Sequence, residues 1–331
     1  MASQLAFKSR IASTESLRKI FNAQEMIASS RIAKARGVAL AAKPFSDAIF
    51  DAVRALAAHT HINHPILGKS EKNPRVAVLA LTADRGMAGA YTSSIIRETE
   101  TLLNRLEAEG KKPELFVYGR RGVSYYKYRN REVAGTWEGE SEAPSVEMAA
   151  RISQTLFDTY MAPASKGGVS EFYIVFTEFV NMVVQKVRIL RMLPVEVKIL
   201  SGEDDALAGL DAAEPQEINQ PSQDAQAVSQ SSKSDQKQVK ASPLYSFEPS
   251  ASEVLDNILP KYVQSRVHEC LLTAAASETA SRQNAMHTAT DNARKLVDEL
   301  TRKLNASRQA SITQELTEIV GSADALKTEI E

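Results

Sequence analysis

A single cysteine, Cys270, stands in 331 residues, so no disulfide can form within the chain and a reducing compartment is expected. Its place on an apolar helical stripe predicts packing, with no redox role. No run approaches 18 consecutive apolar residues, which excludes a membrane-spanning helix. The opening MASQLAFKSR lacks the apolar centre of a signal peptide. Net charge is −1, so the chain is not a nucleic-acid binder by charge. Helix breakers are scarce at both ends. Gly37 precedes any other glycine, Pro44 is the first proline, and after Pro260 only Gly321 interrupts the run.

What fills those two ends is helical periodicity. Leu259, Val263, Val267, Cys270 and Ala274 recur at steps of three and four. The rhythm resumes at Met286, Ala289, Ala293, Val297, Leu300 and Leu304 and closes with Ile312, Leu316 and Ile319. Such a stripe reads as one coiled-coil strand. At 1.5 Å per residue, some 65 residues make a rod of roughly 100 Å, too long to stay within a globular domain. Pro260 predicts either the start of this helix or a kink. Thr273 to Ser277 and Ala285 are small, which suits close helix approach as well as simple helix preference.

At the other end, Leu5, Ile11, Leu17, Ile20, Phe21, Ile27 and Ile32 form a looser stripe. Between Ala2 and Lys43 eight Lys/Arg face two acids, Glu15 and Glu25. A basic face of this kind is ordinarily solvated. It also suits an organelle transit peptide, although those avoid acids. The third reading pairs the two terminal helices, each burying the other's stripe. The expected fold class is therefore α/β: a long antiparallel coiled coil of the N- and C-terminal helices with an inserted Rossmann-like α/β domain. The expected parts are a first coil helix over 1–58, the α/β domain over 72–200, a disordered polar loop over 201–242 and the second coil helix over 243–331.

Within the insert, Val76–Leu81, Glu114–Gly119, Glu171–Phe179 and Val187–Val195 read as strands. Helices are expected over Thr92–Glu109, from Val123, and over Pro144–Tyr160. The alternation predicts a mainly parallel sheet. Residues 201–240 hold eight Asp/Glu and three Lys among Ser, Gln and Ala, too little apolar surface to offset ordering entropy.

Candidate chemistry is sparse. His59, His61 and His64 have no Cys or carboxylate beside them to complete a metal site. Gly68-Lys69-Ser70 resembles the end of a phosphate loop, but Asn63 stands where the loop's first Gly belongs. Gly86 and Gly89 lack the GxGxxG spacing of a dinucleotide turn. No cofactor, metal or catalytic set is expected.

Several stretches carry a resemblance. Arg308–Val320, RQASITQELTEIV, is similar to the closing signature of the gamma subunit of F-type ATP synthase, and Ala289–Ala293 belongs with it. Thr82–Tyr91, TADRGMAGAY, resembles that family's T-S-D-R-G-L-x-G-x-x-N, and Arg10–Ser13 and Lys19-Ile20 fall at its places near the start. Phe21, Gln24 and Gly321–Asp324 depart from the family pattern, and the 201–240 loop is unusually long.

The resemblance implies a non-catalytic central rotor shaft. It would turn inside a ring of alpha and beta subunits and couple the membrane c-ring to the nucleotide sites on beta. It implies ring contacts at Arg282, Arg308, Gln309, Thr313, Glu315 and Glu318. It implies a foot at Tyr245, Phe247 and Glu248 against the c-ring and the epsilon subunit. The complex would lie peripherally at the cytoplasmic face of a bacterial cell membrane. The alternative without the resemblance is a non-rotary coiled-coil scaffold carrying an α/β module.

Overall fold

The computed structural model describes residues 2–59, 73–194 and 251–328. His61 and His64, the 201–242 segment and the expected foot residues Tyr245, Phe247 and Glu248 lie outside the described residues, while His59 ends α1. The chain runs α1 (Ala2–His59), β1 (Arg75–Leu81), α2 (Tyr91–Ala108), β2 (Lys112–Tyr118) and α3 (Arg120–Tyr128). It continues with β3 (Gly135–Trp137), α4 (Val146–Met161), β4 (Glu171–Phe179), β5 (Gln185–Leu193) and α5 (Ala251–Thr328). At 58 and 78 residues, α1 and α5 extend about 87 and 117 Å.

The two long helices run antiparallel. As the α1 partner advances through Gln4, Glu25, Ser46 and Phe50, the α5 partner retreats through Ser311, His287, Glu269 and Tyr262. The α1 seam recurs every seven residues: Gln4, Ile11, Arg18, Glu25, Ile32, Ala39, Ser46 and Val53. The interleaved positions are Phe7, Thr14, Phe21, Ala28, Ala35, Ala42, Ile49 and Leu56. A sustained seven-residue repeat imposes a left-handed supercoil. The expected stripe is corrected in part. Leu5 (73% exposed), Leu17, Ile20 and Ile27 point away from α5. A seam chosen by hydrophobicity alone misses positions held by Ala, Thr, Gln, Arg and Ser.

On α5, Leu259, Val263, Val267, Cys270 and Ala274 are all buried as expected, as are Met286, Ala293 and Leu300. Ile312, Leu316 and Ile319 are exposed; they lie beyond Ser311, where Gln4 near the start of α1 meets α5. The helix passes through Pro260 rather than starting there. From Ala274 to Ala280 every residue is buried, so this small-residue stretch is covered on all sides. Cys270 is buried, and burial pushes its thiol up to about 12.

The inserted sheet has the order β3-β2-β1-β4-β5. Its first four strands are parallel, and β5 pairs antiparallel with β4. Both faces are covered, which explains the continuous apolar run of β1. Ala77, Leu79, Leu81, Phe116 and Ile174 face α4 and the lower coil. Val76, Val78, Ala80, Leu115 and Val117 face α2, with Tyr126 of α3 against the same layer. The Ser145 hydroxyl caps α4 by accepting from Met148 N–H at 3.1 Å. The three-residue β3 was not expected from the sequence; it is too short for a periodic signal.

The coil joins the sheet through apolar contact. Val53 and Leu56 of α1 pack with Leu255, Leu259, Val263 and Val267 of α5 in the same core as the sheet face. Burying side chains of this size contributes about 1.5–3 kcal/mol each. That apolar layer supplies most of the attachment.

Candidate functional site at the joint and tip of the coil

The stretch Thr82–Tyr91 turns from β1 into α2 at the carboxyl edge of the sheet. Strand order reverses between β1 and β4, and in open α/β sheets ligands bind in the crevice at such a reversal. Here α5 occupies that place. The Ser277 hydroxyl donates to the Thr177 carbonyl at 2.9 Å, and the Tyr91 hydroxyl donates to the Ala274 carbonyl at 3.3 Å. Gly89, at φ +56, lets the turn approach closely: a Cβ there would stand 3.4 Å from the Ala285 methyl.

Polar side chains hold this turn rigid. The Thr82 hydroxyl donates to the Tyr118 carbonyl at 2.7 Å and accepts from Gly122 N–H at 3.1 Å. Gly119 takes φ +99, and a Cβ on it would collide with the Thr82 carbonyl. The Asp84 carboxylate accepts from Arg120 N–H at 3.0 Å, Gly139 N–H at 3.0 Å and Ser141 N–H at 2.9 Å. Burial opposes its charge, yet these donors hold the carboxyl below the usual aspartate value. Asp84 thereby ties together the turns that follow β1, β2 and β3.

Above that turn lies a charged cluster. Glu278 is 1% exposed and Arg282, one helical turn on, 6%. The Arg282 guanidinium donates to Glu278 at 2.5 Å, reaches Glu142 at 3.3 Å and the Gly86 carbonyl at 3.5 Å. Burial pushes the Glu278 carboxyl up, against the opposing pull of Arg282. Glu142 also pairs with Arg31 of α1, and with Arg85 at 3.8 Å. Arg282, expected as a ring contact, is therefore engaged within its own chain. Asp84, Glu142 and Glu278 were missed by sequence reasoning. A charged pair at i, i+4 inside an Ala-rich apolar stretch was the available signal for Glu278 and Arg282.

At the tip, the structure leaves Arg308, Gln309, Thr313, Glu315 and Glu318 all exposed on α5. The Thr313 hydroxyl donates to the Gln309 carbonyl at 3.0 Å, a bond internal to the helix. Glu318 accepts from the Gln314 amide at 3.0 Å. Arg308 makes no ion pair among the described residues. Its planar fork of donors faces solvent beside the uncovered Ile312, Leu316 and Ile319.

Among the described residues no helix is long and apolar enough to cross a membrane, and no group of His, Cys, Asp and Glu is arranged to hold a metal.

The sequence matches the ATP synthase family model, described as "ATP synthase", over residues 3–326. It is 72% identical over 326 residues to the ATP synthase gamma chain of Bifidobacterium adolescentis, covering 98% of each chain. It is 47% identical over 323 residues to that of Beutenbergia cavernae, again covering 98% of each. Among solved structures it shares its fold with a chain of the Euglena gracilis mitochondrial ATP synthase, in a structure of its OSCP, F1 and c-ring parts. The TM-score is 0.62 and the identity 15%, covering 100% of this chain and 96% of that one. A chain from the central stalk and c-ring of the Tetrahymena thermophila enzyme gives a TM-score of 0.53 at 18% identity, covering 82% and 99%. The chain belongs to the ATP synthase gamma-chain family.

Proposed function

We propose that the chain is the rotary central-stalk subunit of a proton-translocating F-type ATP synthase. It couples turning of a membrane c-ring to conformational change at catalytic beta subunits. The observation that carries this reading is α5. One unbroken helix packs into the sheet domain at its lower end and leaves it at its upper end with charged, amide and apolar groups uncovered.

The subunit is not itself catalytic. It acts as a ligand that the beta sites bind differently at each angle, which shifts their affinities in turn. The coil, with parts divided near 1–58 and 243–331, is the shaft, and the 72–200 domain is its lower bearing beside the epsilon subunit. Arg308, Gln309, Thr313, Glu315 and Glu318 meet the alpha and beta subunits. Tyr245, Phe247 and Glu248 form the foot on the c-ring. Arg282 braces the shaft from inside. The complex lies peripherally on the cytoplasmic face of the cell membrane.

The test is purification of the tagged chain from membranes. Recovery of alpha and beta subunits with it, in an assembly that hydrolyses ATP and pumps protons, is expected. A lone dimer in the soluble extract would instead support a non-rotary scaffold.

A further inference from the structure

We infer that Glu142 is a positioning residue that pins α1, α5 and the sheet domain together, so that the three turn as one body. The inference rests on the rotor reading above.

The contact of Val53, Leu56, Leu255, Leu259, Val263 and Val267 with the sheet is strong but non-directional, so it fixes distance better than angle. A shaft that carries torque also needs its parts fixed in rotation. Charge-assisted hydrogen bonds are directional, and an arginine fork constrains the plane of its partner.

Glu142 meets that need from the loop between β3 and α4. One oxygen, Oε1, takes Arg282 of α5 at 3.3 Å and Arg85 of the β1–α2 turn at 3.8 Å. The other, Oε2, accepts from Arg31 of α1. A single carboxylate thus touches both coil helices and the turn that carries Gly86. Its own loop is held by neighbours. Asp84 accepts from Ser141 N–H at 2.9 Å, and Glu140 accepts from Ser145 N–H at 3.0 Å. Arg282 is oriented in turn by the buried Glu278 and by the Gly86 carbonyl. The clasp therefore has a rigid base on both sides.

The experiment uses the assembled complex in sealed vesicles and reads protons pumped per ATP hydrolysed. With Glu142→Gln, hydrolysis should persist while the ratio falls about twofold or more, a change within reach of one loosened ion pair. Arg31→Gln should act in the same direction, and the double variant should lose no more than the larger single. Should Glu142→Gln fail to assemble, Arg31→Gln decides alone, since Arg31 is half-exposed and its substitution is expected to leave the chain folded. A readout that a merely structural role would not move is rescue. Cysteines at 31 and 142, joined by a short bis-maleimide, should restore the ratio. An unchanged ratio in the single variants, or a crosslink that fails to restore it, overturns the inference. Failure of the rotor reading shows separately, as a wild-type assembly that lacks the chain or does not pump.

Discussion

The Gln4 amide of α1 donates to the Ser311 hydroxyl of α5 at 3.1 Å, and from Ile312 to Val320 the side chains of α5 are exposed. A helix that sheds its partner while keeping Ile312, Leu316 and Ile319 (64% exposed) has apolar surface to spend on another chain. Replacing all three with Gln should barely alter the chain's own melting, because exposed substitutions typically shift stability by less than about 0.5 kcal/mol each. The assembled complex should lose ATP-driven pumping. A large drop in the melting temperature of the chain, measured by circular dichroism, would show that these residues pack internally.

Arg308 and Gln309 stand beside that apolar trio and face solvent. Arg308→Ala and Gln309→Ala should leave stability nearly unchanged, since an exposed charged group is worth about 0–1 kcal/mol. Both steady-state hydrolysis and synthesis should fall at matched subunit content. Wild-type turnover in both single variants and in the double variant would return these residues to an ordinary solvated face.

Asp84 answers a different question, the integrity of the joint. Asp84→Ala leaves three backbone N–H groups without their acceptor and should destabilise the sheet domain on the order of 3 kcal/mol. The sign with pH follows from the lowered carboxyl. The stabilisation is full above the ordinary value of 3.8 and is lost as pH falls through the lower folded value. Denaturant melts from pH 6 downward should show this acid loss in wild type and a flatter profile in Asp84→Asn.

His287 and Glu25 form a cross-coil pair, with Nδ1 2.8 Å from the carboxylate. Glu25 chiefly, and Asp291 less, hold the imidazole above its usual 6.5. Because the folded value is raised, the pair's stabilisation is complete below 6.5 and disappears as pH rises through the folded value. An NMR titration of His287 should give a raised midpoint that returns towards 6.5 in Glu25→Gln. An identical midpoint in both proteins would remove the pair from the coil's solution structure.

The strands were legible because both sheet faces are buried, so β1 and β4 appear as apolar runs that no loop would carry. The α5 stripe was legible for a similar reason, with Val263, Val267 and Leu300 on its inner face. The α1 seam was legible only at Ile11, Phe21 and Ile32. Gln4, Thr14, Arg18, Glu25 and Ser46 lie along it, while Leu5, Leu17 and Ile20 lie outside. A shaft with an outer face turned toward other subunits breaks the rule that large apolar residues mark the inside. The tip signature RQASITQELTEIV was readable only by resemblance, since exposed Arg and Gln carry no packing pattern. The Glu142 clasp was illegible because its four segments come together only in the folded chain.

Rotation itself is the most direct test. Tyr128 is 86% exposed on α3, so Tyr128→Cys offers a reactive thiol on the sheet domain. Cys270 will not compete, being buried with its thiol pushed up to about 12. A marker attached at position 128 of an assembly fixed through its beta subunits is followed by microscopy during ATP hydrolysis. The account predicts turning in one direction, with one pause for each beta site per revolution. Hydrolysis at the wild-type rate while the marker merely fluctuates about one angle would contradict it.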